Sequence, residues 1–114
     1  MTIRDVQNIL GAELLTGENL LDTQVCSACG SDMMSDVLAF VKEQSVLLTG
    51  LNNPQVVRTA EMMDMRCIVF VRGKIPGEQL VKLATDRDIV VLKTGLRMYP
   101  ACGKLYAAGL IGNS

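Results

Sequence analysis

The stretch CIVFVRGKIPGEQLVKLATDRDIVVL, residues 67–92, contains two short apolar runs separated by a longer mixed segment. The runs at 67–71 and 89–92 are apolar at every position, which is typical of strands buried on both faces of a parallel sheet. The segment 76–86 opens with Pro76 and predicts a helix. Because a hairpin needs only a few residues between its strands, this helix predicts a parallel β-α-β unit with a right-handed crossover.

The same alternation continues on both sides of that unit. A short apolar run predicts a strand at 46–49, and the next segment predicts a helix over 52–65 with Asn53 as its cap and Pro54 in its first position. A last helix is predicted over 99–110. Alternating strands and helices of this kind predict an α/β fold, in which helices cover both faces of a parallel sheet.

The N-terminal part begins with another helical pattern. Thr2 can cap a helix that runs to about Leu10, and Gly11 can end it. A short apolar run at 12–15 and a turn at 16–19 follow.

The next segment contains small and β-tolerant residues. It predicts a strand over 23–28, which the residues at 30–32 should end. Ser31 or Asp32 can then cap a helix that runs to about Lys42.

Composition excludes several classes of protein. The 114 residues suit one domain spanning 1–114, and the net charge of −1 gives no general attraction to nucleic acid or to acidic membranes. The N-terminal residues do not form a signal peptide and no apolar run is long enough to span a membrane, so we expect a cytoplasmic protein. The complete lack of His removes Ser-His-Asp and Cys-His catalysis and most zinc sites.

Short stretches of the chain resemble the DRTGG domain, among them GAELLTG at 11–17, SDVLAF at 35–40 and VLLTG at 46–50. The resemblance covers nearly the whole chain. It implies a three-layer α/β/α sandwich with a mostly parallel sheet, like the N-terminal domain of HPr kinase. It also implies a regulatory, dimer-forming module, because related domains occur inside phosphotransacetylases and CBS-containing pyrophosphatases. Small stand-alone relatives are associated with hydrogenase and serine-kinase gene neighbourhoods.

The chain also departs from that family. Residues 51–55 read LNNPQ, where the family often carries Asp and Arg. The catalytic half of HPr kinase is absent, and the sequence contains no G-x-x-x-x-G-K-[ST] phosphate loop. The resemblance therefore does not imply kinase activity, and we expect a protein that is not an enzyme and has no cofactor.

The loops that follow the predicted strands are the candidate ligand site. Ligands of open parallel sheets collect beyond the carboxyl ends of the strands, where glycine permits close approach and free N–H groups attract anions. The basic residues and hydroxyls of these loops predict a site for phosphate or a nucleotide, although ordinary turns with solvated cations would give the same pattern. The predicted ligand-binding residues are Thr49, Gly50, Asn52, Asn53, Arg72, Gly73, Lys74, Thr94, Gly95 and Arg97.

Cys26 and Cys29 have the C-x-x-C spacing of metal and redox sites. A tetrahedral metal site needs two more ligands, and the distant Cys67 and Cys102 are the other cysteines available. We therefore favour the interpretation that all four cysteines are plain buried thiols, and we expect no metal. Thiol chemistry stays open as an alternative, because a helix beginning after Cys29 would lower the pKa of its thiol.

Three hypotheses follow for function. The first is a homodimeric regulatory or ligand-binding module for an anionic metabolite or nucleotide. The second is a thiol or metal protein that uses Cys26 and Cys29 and is linked to iron–sulfur or hydrogenase biology. The third is a protein-interaction adaptor. The seven methionines favour core filling, with a Met-lined dimer surface as the alternative.

Overall fold

The structure is a computed structural model that describes residues 1–40 and 44–111. Within these residues the helices are α1 (Ile3–Leu10), α2 (Met34–Phe40), α3 (Gln55–Met62), α4 (Glu78–Asp86) and α5 (Met98–Ala107). The strands are β1 (Glu13–Thr16), β2 (Ser27–Gly30), β3 (Ser45–Thr49), β4 (Cys67–Phe70) and β5 (Val90–Lys93). A short 3₁₀ turn at Glu18–Leu20 stands where the sequence predicted a turn.

All five strands form one sheet in the order β1-β5-β4-β3-β2. Strands β2 to β5 are parallel neighbours, and β1 joins the β5 edge in the antiparallel direction. The prediction that the segments at 46–49, 67–71 and 89–92 are parallel neighbours is therefore confirmed. The sheet is mostly parallel and the fold is α/β, as the sequence predicted.

Helices cover both faces of the sheet, and a separate apolar cluster fills each side. One cluster joins α1 and α5 to the sheet through residues such as Ile3, Val69 and Leu105. The other joins α2, α3 and α4 through residues such as Val57 and Phe70. Every residue of β3 and β4 is buried, which explains why these strands are apolar on both faces.

The first helix begins and ends as its sequence predicts. The hydroxyl of Thr2 accepts the backbone N–H of Asp5 at 3.2 Å, and the Asp5 carboxylate accepts the N–H of Thr2 at 2.9 Å. These two bonds form a capping box, and they lower the pKa of Asp5. Gly11 ends the helix in the left-handed conformation, with φ of 58°.

The strand predicted over 23–28 lies further along the chain, at Ser27–Gly30. Gly30 is the last residue of the strand and still pairs with Leu48, so the strand ends where the sequence predicted. A side chain at position 30 would overlap the Sγ atom of Cys102 on α5, at 2.6 Å from its Cβ. Glycine at this position therefore leaves room for the Cys102 side chain where α5 approaches the sheet closely.

Strand β1 was read from the sequence only as a short apolar run. It pairs with β5 from Glu13 opposite Lys93 to Thr16 opposite Val91, and the carboxylate of Glu13 lies 3.1 Å from the Lys93 amine. A four-residue edge strand buries too little to give the two-sided pattern of the central strands, so its strand character was not visible in the sequence.

The remaining helix boundaries shift by a few residues. Helix α3 begins at Gln55, whose N–H donates to the Asn53 side chain at 3.0 Å, and α5 ends at Ala107. The end predicted near Lys42 lies outside the described residues. Within the described part of the chain, the helices are too short and too polar for any of them to cross a bilayer.

Two isoleucines test the importance of the central strands. Ile68 lies in β4 and is completely buried, whereas the side chain of Ile75 is 68% exposed. Replacing Ile68 with Ala should lower the free energy of unfolding by about 2–5 kcal/mol, because it leaves a cavity between the sheet and α3. The matched change Ile75→Ala should cost no more than about 0.5 kcal/mol. Urea unfolding of both variants measures the difference, and equal losses would contradict the fold.

Candidate functional site at the carboxyl edge of the sheet

The three loops predicted to form a ligand site lie at one edge of the sheet, because β3, β4 and β5 are parallel. Backbone hydrogen bonds join them to one another. The N–H of Arg72 donates to the Leu96 carbonyl at 2.7 Å, and the N–H of Gly73 donates to the Thr94 carbonyl at 3.0 Å. The loops after β4 and β5 are thus fixed together, with Arg97 directly after one of the bonded residues.

The loop after β4 owes its shape to two successive residues in the left-handed region. Arg72 has φ of 63° and Gly73 has φ of 67°. A non-glycine residue rarely adopts this conformation, so Arg72 is held there by its surroundings. The turn directs the guanidinium of Arg72 across the neighbouring loop, where it occupies the space that a Cβ atom on Gly50 would need.

The two predicted hydroxyl donors, Thr49 and Thr94, are buried and hydrogen-bonded within the chain. Thr49 is the last residue of β3 and Thr94 directly follows β5. The hydroxyl of each accepts the backbone N–H of the residue two positions later, at 3.1 Å from Leu51 and 3.2 Å from Leu96. The Thr94 hydroxyl donates to the carbonyl of Leu10 at 3.2 Å. Both threonines therefore stabilise the start of their loops.

A carboxylate that the sequence reading did not include completes this edge. One oxygen of Asp32 accepts the hydroxyl of Thr49 at 3.1 Å and the backbone N–H of Gly50 at 2.6 Å. Its other oxygen lies 3.4 Å from the guanidinium of Arg72. The sequence suggested Asp32 as a helix cap, but its side chain instead joins the segment after β2 to the loops after β3 and β4.

The other predicted site residues divide into two groups. The amide of Asn52 donates to the Ile75 carbonyl at 2.8 Å, and Asn53 binds the start of α3, so both asparagines shape the loops. Lys74 and Arg97 are exposed, and neither forms an ion pair within residues 1–40 and 44–111. The charge of Arg72, in contrast, is paired with Asp32. Gly95 is also exposed and has open space around it.

A profile of the DRTGG domain matches residues 5–107, which is most of the chain. The chain belongs to the DRTGG domain family. No curated protein sequence matches it.

One solved structure has the same fold as this DRTGG domain. It is the crystal structure of the CBS and DRTGG domains of the regulatory region of Clostridium perfringens pyrophosphatase, complexed with its activator diadenosine tetraphosphate. The TM-score is 0.75 and the sequence identity is 15%. The match covers 91% of this chain but only 45% of the other, so the DRTGG domain described here spans less than half of that regulatory region.

The C-x-x-C pair of this DRTGG domain lies along an extended segment. Cys29 is inside β2, and the N–H of Cys26 donates to the Gln44 carbonyl at 2.9 Å, which continues the strand pairing. Two residues three apart in an extended chain are separated by about 10 Å, too far for a disulfide. Among the described residues there is no cluster of three or more Cys, Asp or Glu side chains suited to hold a metal ion.

The expectation that all four thiols are buried is wrong for Cys26, which is exposed, and Cys29 and Cys102 are only partly buried. The pKa values of the buried and partly buried thiols argue against thiol chemistry. Cys29 does not sit at a helix start, and burial, followed by the nearby Cys102 and Asp36, raises the pKa of its thiol. Burial also raises the pKa of Cys102 and of Cys67. A raised pKa lowers the thiolate fraction near neutral pH, which is the opposite of what a reactive thiol needs.

A shallow groove beside the candidate site was not predicted from the sequence. It has a volume of about 480 Å³ and adjoins the loop after β4. Because it combines residues of β1 with residues of α4, no single stretch of sequence could indicate it. Its lining residues are Leu15, Ile75, Pro76, Glu78, Val81 and Lys82.

Thiol labelling tests the assignment of the cysteines. In the native protein at neutral pH, Cys26 is exposed and should react rapidly with DTNB, whereas the buried Cys67 should react only after denaturation. The reaction of Cys29 and Cys102 should continue to accelerate at pH values where a free thiol is already ionised, because their pKa values are raised.

Metal analysis of the same samples supplies the second measurement. The purified protein should contain less than one equivalent of zinc or iron, and the Cys26→Ser variant should lose only the rapid labelling phase. A stoichiometric metal that disappears in Cys26→Ser/Cys29→Ser would reverse the order of the hypotheses.

Proposed function

We propose that this DRTGG domain is a non-catalytic regulatory module that binds an anionic small molecule, a nucleotide or a phosphorylated metabolite, at the carboxyl edge of its sheet. The observation that carries the proposal is that the loops after three parallel strands meet at this edge, and these loops contain Arg72, Lys74 and Arg97. Hydrogen bonds between the loops fix this arrangement before any ligand binds. Pre-organisation of this kind lowers the entropic cost of binding.

Two further observations support a regulatory role. The family is that of a domain found in the regulatory region of a pyrophosphatase, and the solved regulatory region is complexed with a dinucleotide activator. The sequence also contains no His, the side chain most often used for acid–base catalysis, and no phosphate-loop motif.

A ligand screen tests the binding proposal directly. Thermal unfolding should be measured with nucleotides and phosphorylated metabolites, one at a time. A ligand present at about one hundred times its Kd stabilises the folded state by about 2.7 kcal/mol, which gives a large shift in Tm for a domain of this size. Uniform absence of any shift across anionic compounds would count against the proposal.

The Arg72→Ala/Arg97→Ala variant locates the site. It should weaken binding of the ligand by about tenfold or more, because it removes charge-assisted hydrogen bonds, and it should leave the fold intact. The matched control is Arg66→Ala/Arg87→Ala, which removes two exposed arginines just before β4 and before β5, at the opposite edge of the sheet. Equal affinity in the two double variants would move the ligand away from the carboxyl edge.

We also propose that the module acts as a homodimer. The outer face of α5 supports this: Tyr99 is 89% exposed and Tyr106 is 65% exposed, and a cavity of about 410 Å³ lies beside them. Lys104 is the only charged residue of this helix. A helix that is apolar on its outer face as well as its inner face is typical of one covered by a second surface.

Light scattering tests the assembly at tens of micromolar protein. The wild type should have the mass of a dimer, and Tyr99→Ser/Tyr106→Ser should shift it toward the monomer. The control is Met33→Ser/Met62→Ser, which removes two exposed methionines: Met33 lies just before α2, and Met62 is the last residue of α3. Dissociation of the methionine variant alone would assign the interface to the Met-lined surface, and a monomeric wild type would contradict the homodimer.

The exposed face of α5 also favours one alternative, a protein-interaction adaptor. In that case a partner protein would cover Tyr99 and Tyr106. Stable co-purification of a partner, combined with no response to any small molecule, would favour the adaptor over the ligand-binding module.

A further inference from the structure

Three hydrogen-bond donors at the ends of β3 and β4 face one acceptor, and that acceptor belongs to the chain itself. The hydroxyl of Thr49 and the N–H of Gly50 donate to one oxygen of Asp32, at 3.1 and 2.6 Å. The guanidinium of Arg72 lies 3.4 Å from the other oxygen. Three donors from two different loops therefore surround a single carboxylate.

Donors of these three kinds are also suited to bind the oxygens of an external anion. A hydroxyl, a backbone N–H and a guanidinium bind the oxygens of phosphates and carboxylates alike, and bonds to ionised oxygens are the stronger ones. While Asp32 holds these donors, its negative charge also compensates Arg72. An anion that approached the intact pair would gain little from that arginine.

The carboxylate is held at a place from which it can be displaced. The side chain of Asp32 is 46% exposed and that of Arg72 is 45% exposed. Ion pairs with this exposure contribute little to stability, because water competes for both groups. Asp32 also belongs to the segment between β2 and α2, outside both elements.

We infer that Asp32 is a built-in competitor for the ligand: the terminal oxyanion of a bound ligand replaces the Asp32 carboxylate at Thr49, Gly50 and Arg72. The inference rests on the proposed anion-binding function. It assigns Asp32 the role of setting the affinity of that site. If Asp32 instead stays in place and orients Arg72 toward the ligand, neutralising Asp32 should weaken ligand binding.

The test is the variant Asp32→Asn, with inorganic pyrophosphate as the probe. Asn has the same size and can still accept the N–H of Gly50, but it has no charge and does not pair with Arg72. Pyrophosphate should bind this variant about tenfold more tightly than the wild type, the change expected when one charge-assisted interaction no longer has to be broken. The Gly50 amide resonance in a ¹H–¹⁵N NMR titration reports binding at the site itself.

The matched control is Asp36→Asn, which removes the same charge from an exposed position on α2 that contacts none of the three donors. Its Kd for pyrophosphate should stay within about twofold of the wild type, since salt screens an exposed charge that does not contact the site. The same titration with malonate distinguishes a site for phosphoryl groups from one for carboxylates.

A change on the other side of the pair gives a second test. Gly50→Ala places a methyl group where the Arg72 guanidinium lies and should push that flexible side chain aside. In the Asp32→Asn background it should cancel the gain in pyrophosphate affinity. If Asp32→Asn fails to fold, Asp32→Ser supports the same measurements.

The results separate this inference from the proposed function. Equal or weaker pyrophosphate binding in the Asp32 variants, or a Gly50 resonance that does not move, would overturn the inference. If wild-type binding is nonetheless lost in Arg72→Ala/Arg97→Ala, the proposed function stands without it. Tighter pyrophosphate binding in Asp32→Asn, with no natural anion bound by the wild type, would support the competitor and contradict the proposed function.

Discussion

Both faces of β3 and β4 are completely buried, and the rest of the architecture depends on this constraint. Strands without a solvent face need a layer of helices on each side. The parallel direction of the strands then requires that each connection cross back over the sheet, which α2, α3 and α4 do on one face. One consequence reaches the candidate site: every loop that leaves a parallel strand emerges at the same edge.

The centre of the fold could be predicted from the sequence because its signals are local. The apolar runs at 67–71 and 89–92 each read as a buried strand without knowledge of any neighbour. The capping box of Thr2 and Asp5 and the left-handed Gly11 are contained within ten residues. Burial on two faces and helix capping therefore both leave a pattern in a short window of sequence.

The edges of the sheet could not be predicted in the same way. Strand β1 is four residues long and acquires its structure by pairing with β5, some seventy-five residues later in the chain. Gly30 looked like the end of a strand because glycine usually interrupts one. The structural reason for glycine at this position is the close approach of the Cys102 sulfur on α5, a contact between segments that are distant in the sequence.

The candidate site shows the same division. The loops themselves were predicted, because their position follows from the parallel strands. Asp32 was missed because a carboxylate just before a helix is ordinarily a cap, and nothing near it in the sequence indicates Thr49 or Arg72 as its partners. That contact exists only because β2 lies beside β3 in the sheet. A prediction of the strand order would have been needed to find it.

A comparison of two threonines shows why the loop above β3 is the adaptable one. Thr49 is the last residue of β3 and Thr94 directly follows β5, and the hydroxyl of each accepts the N–H two residues later. The hydroxyl of Thr94 then donates to the backbone carbonyl of Leu10, a neutral and buried acceptor that fixes α1 against the sheet. The hydroxyl of Thr49 donates instead to Asp32, which is charged and half exposed. A carbonyl inside the fold cannot be exchanged without unfolding part of it, whereas a carboxylate at the surface can be replaced by another anion. The same arrangement of a threonine hydroxyl thus stabilises the fold after β5 and, in our proposal, leaves an exchangeable acceptor after β3.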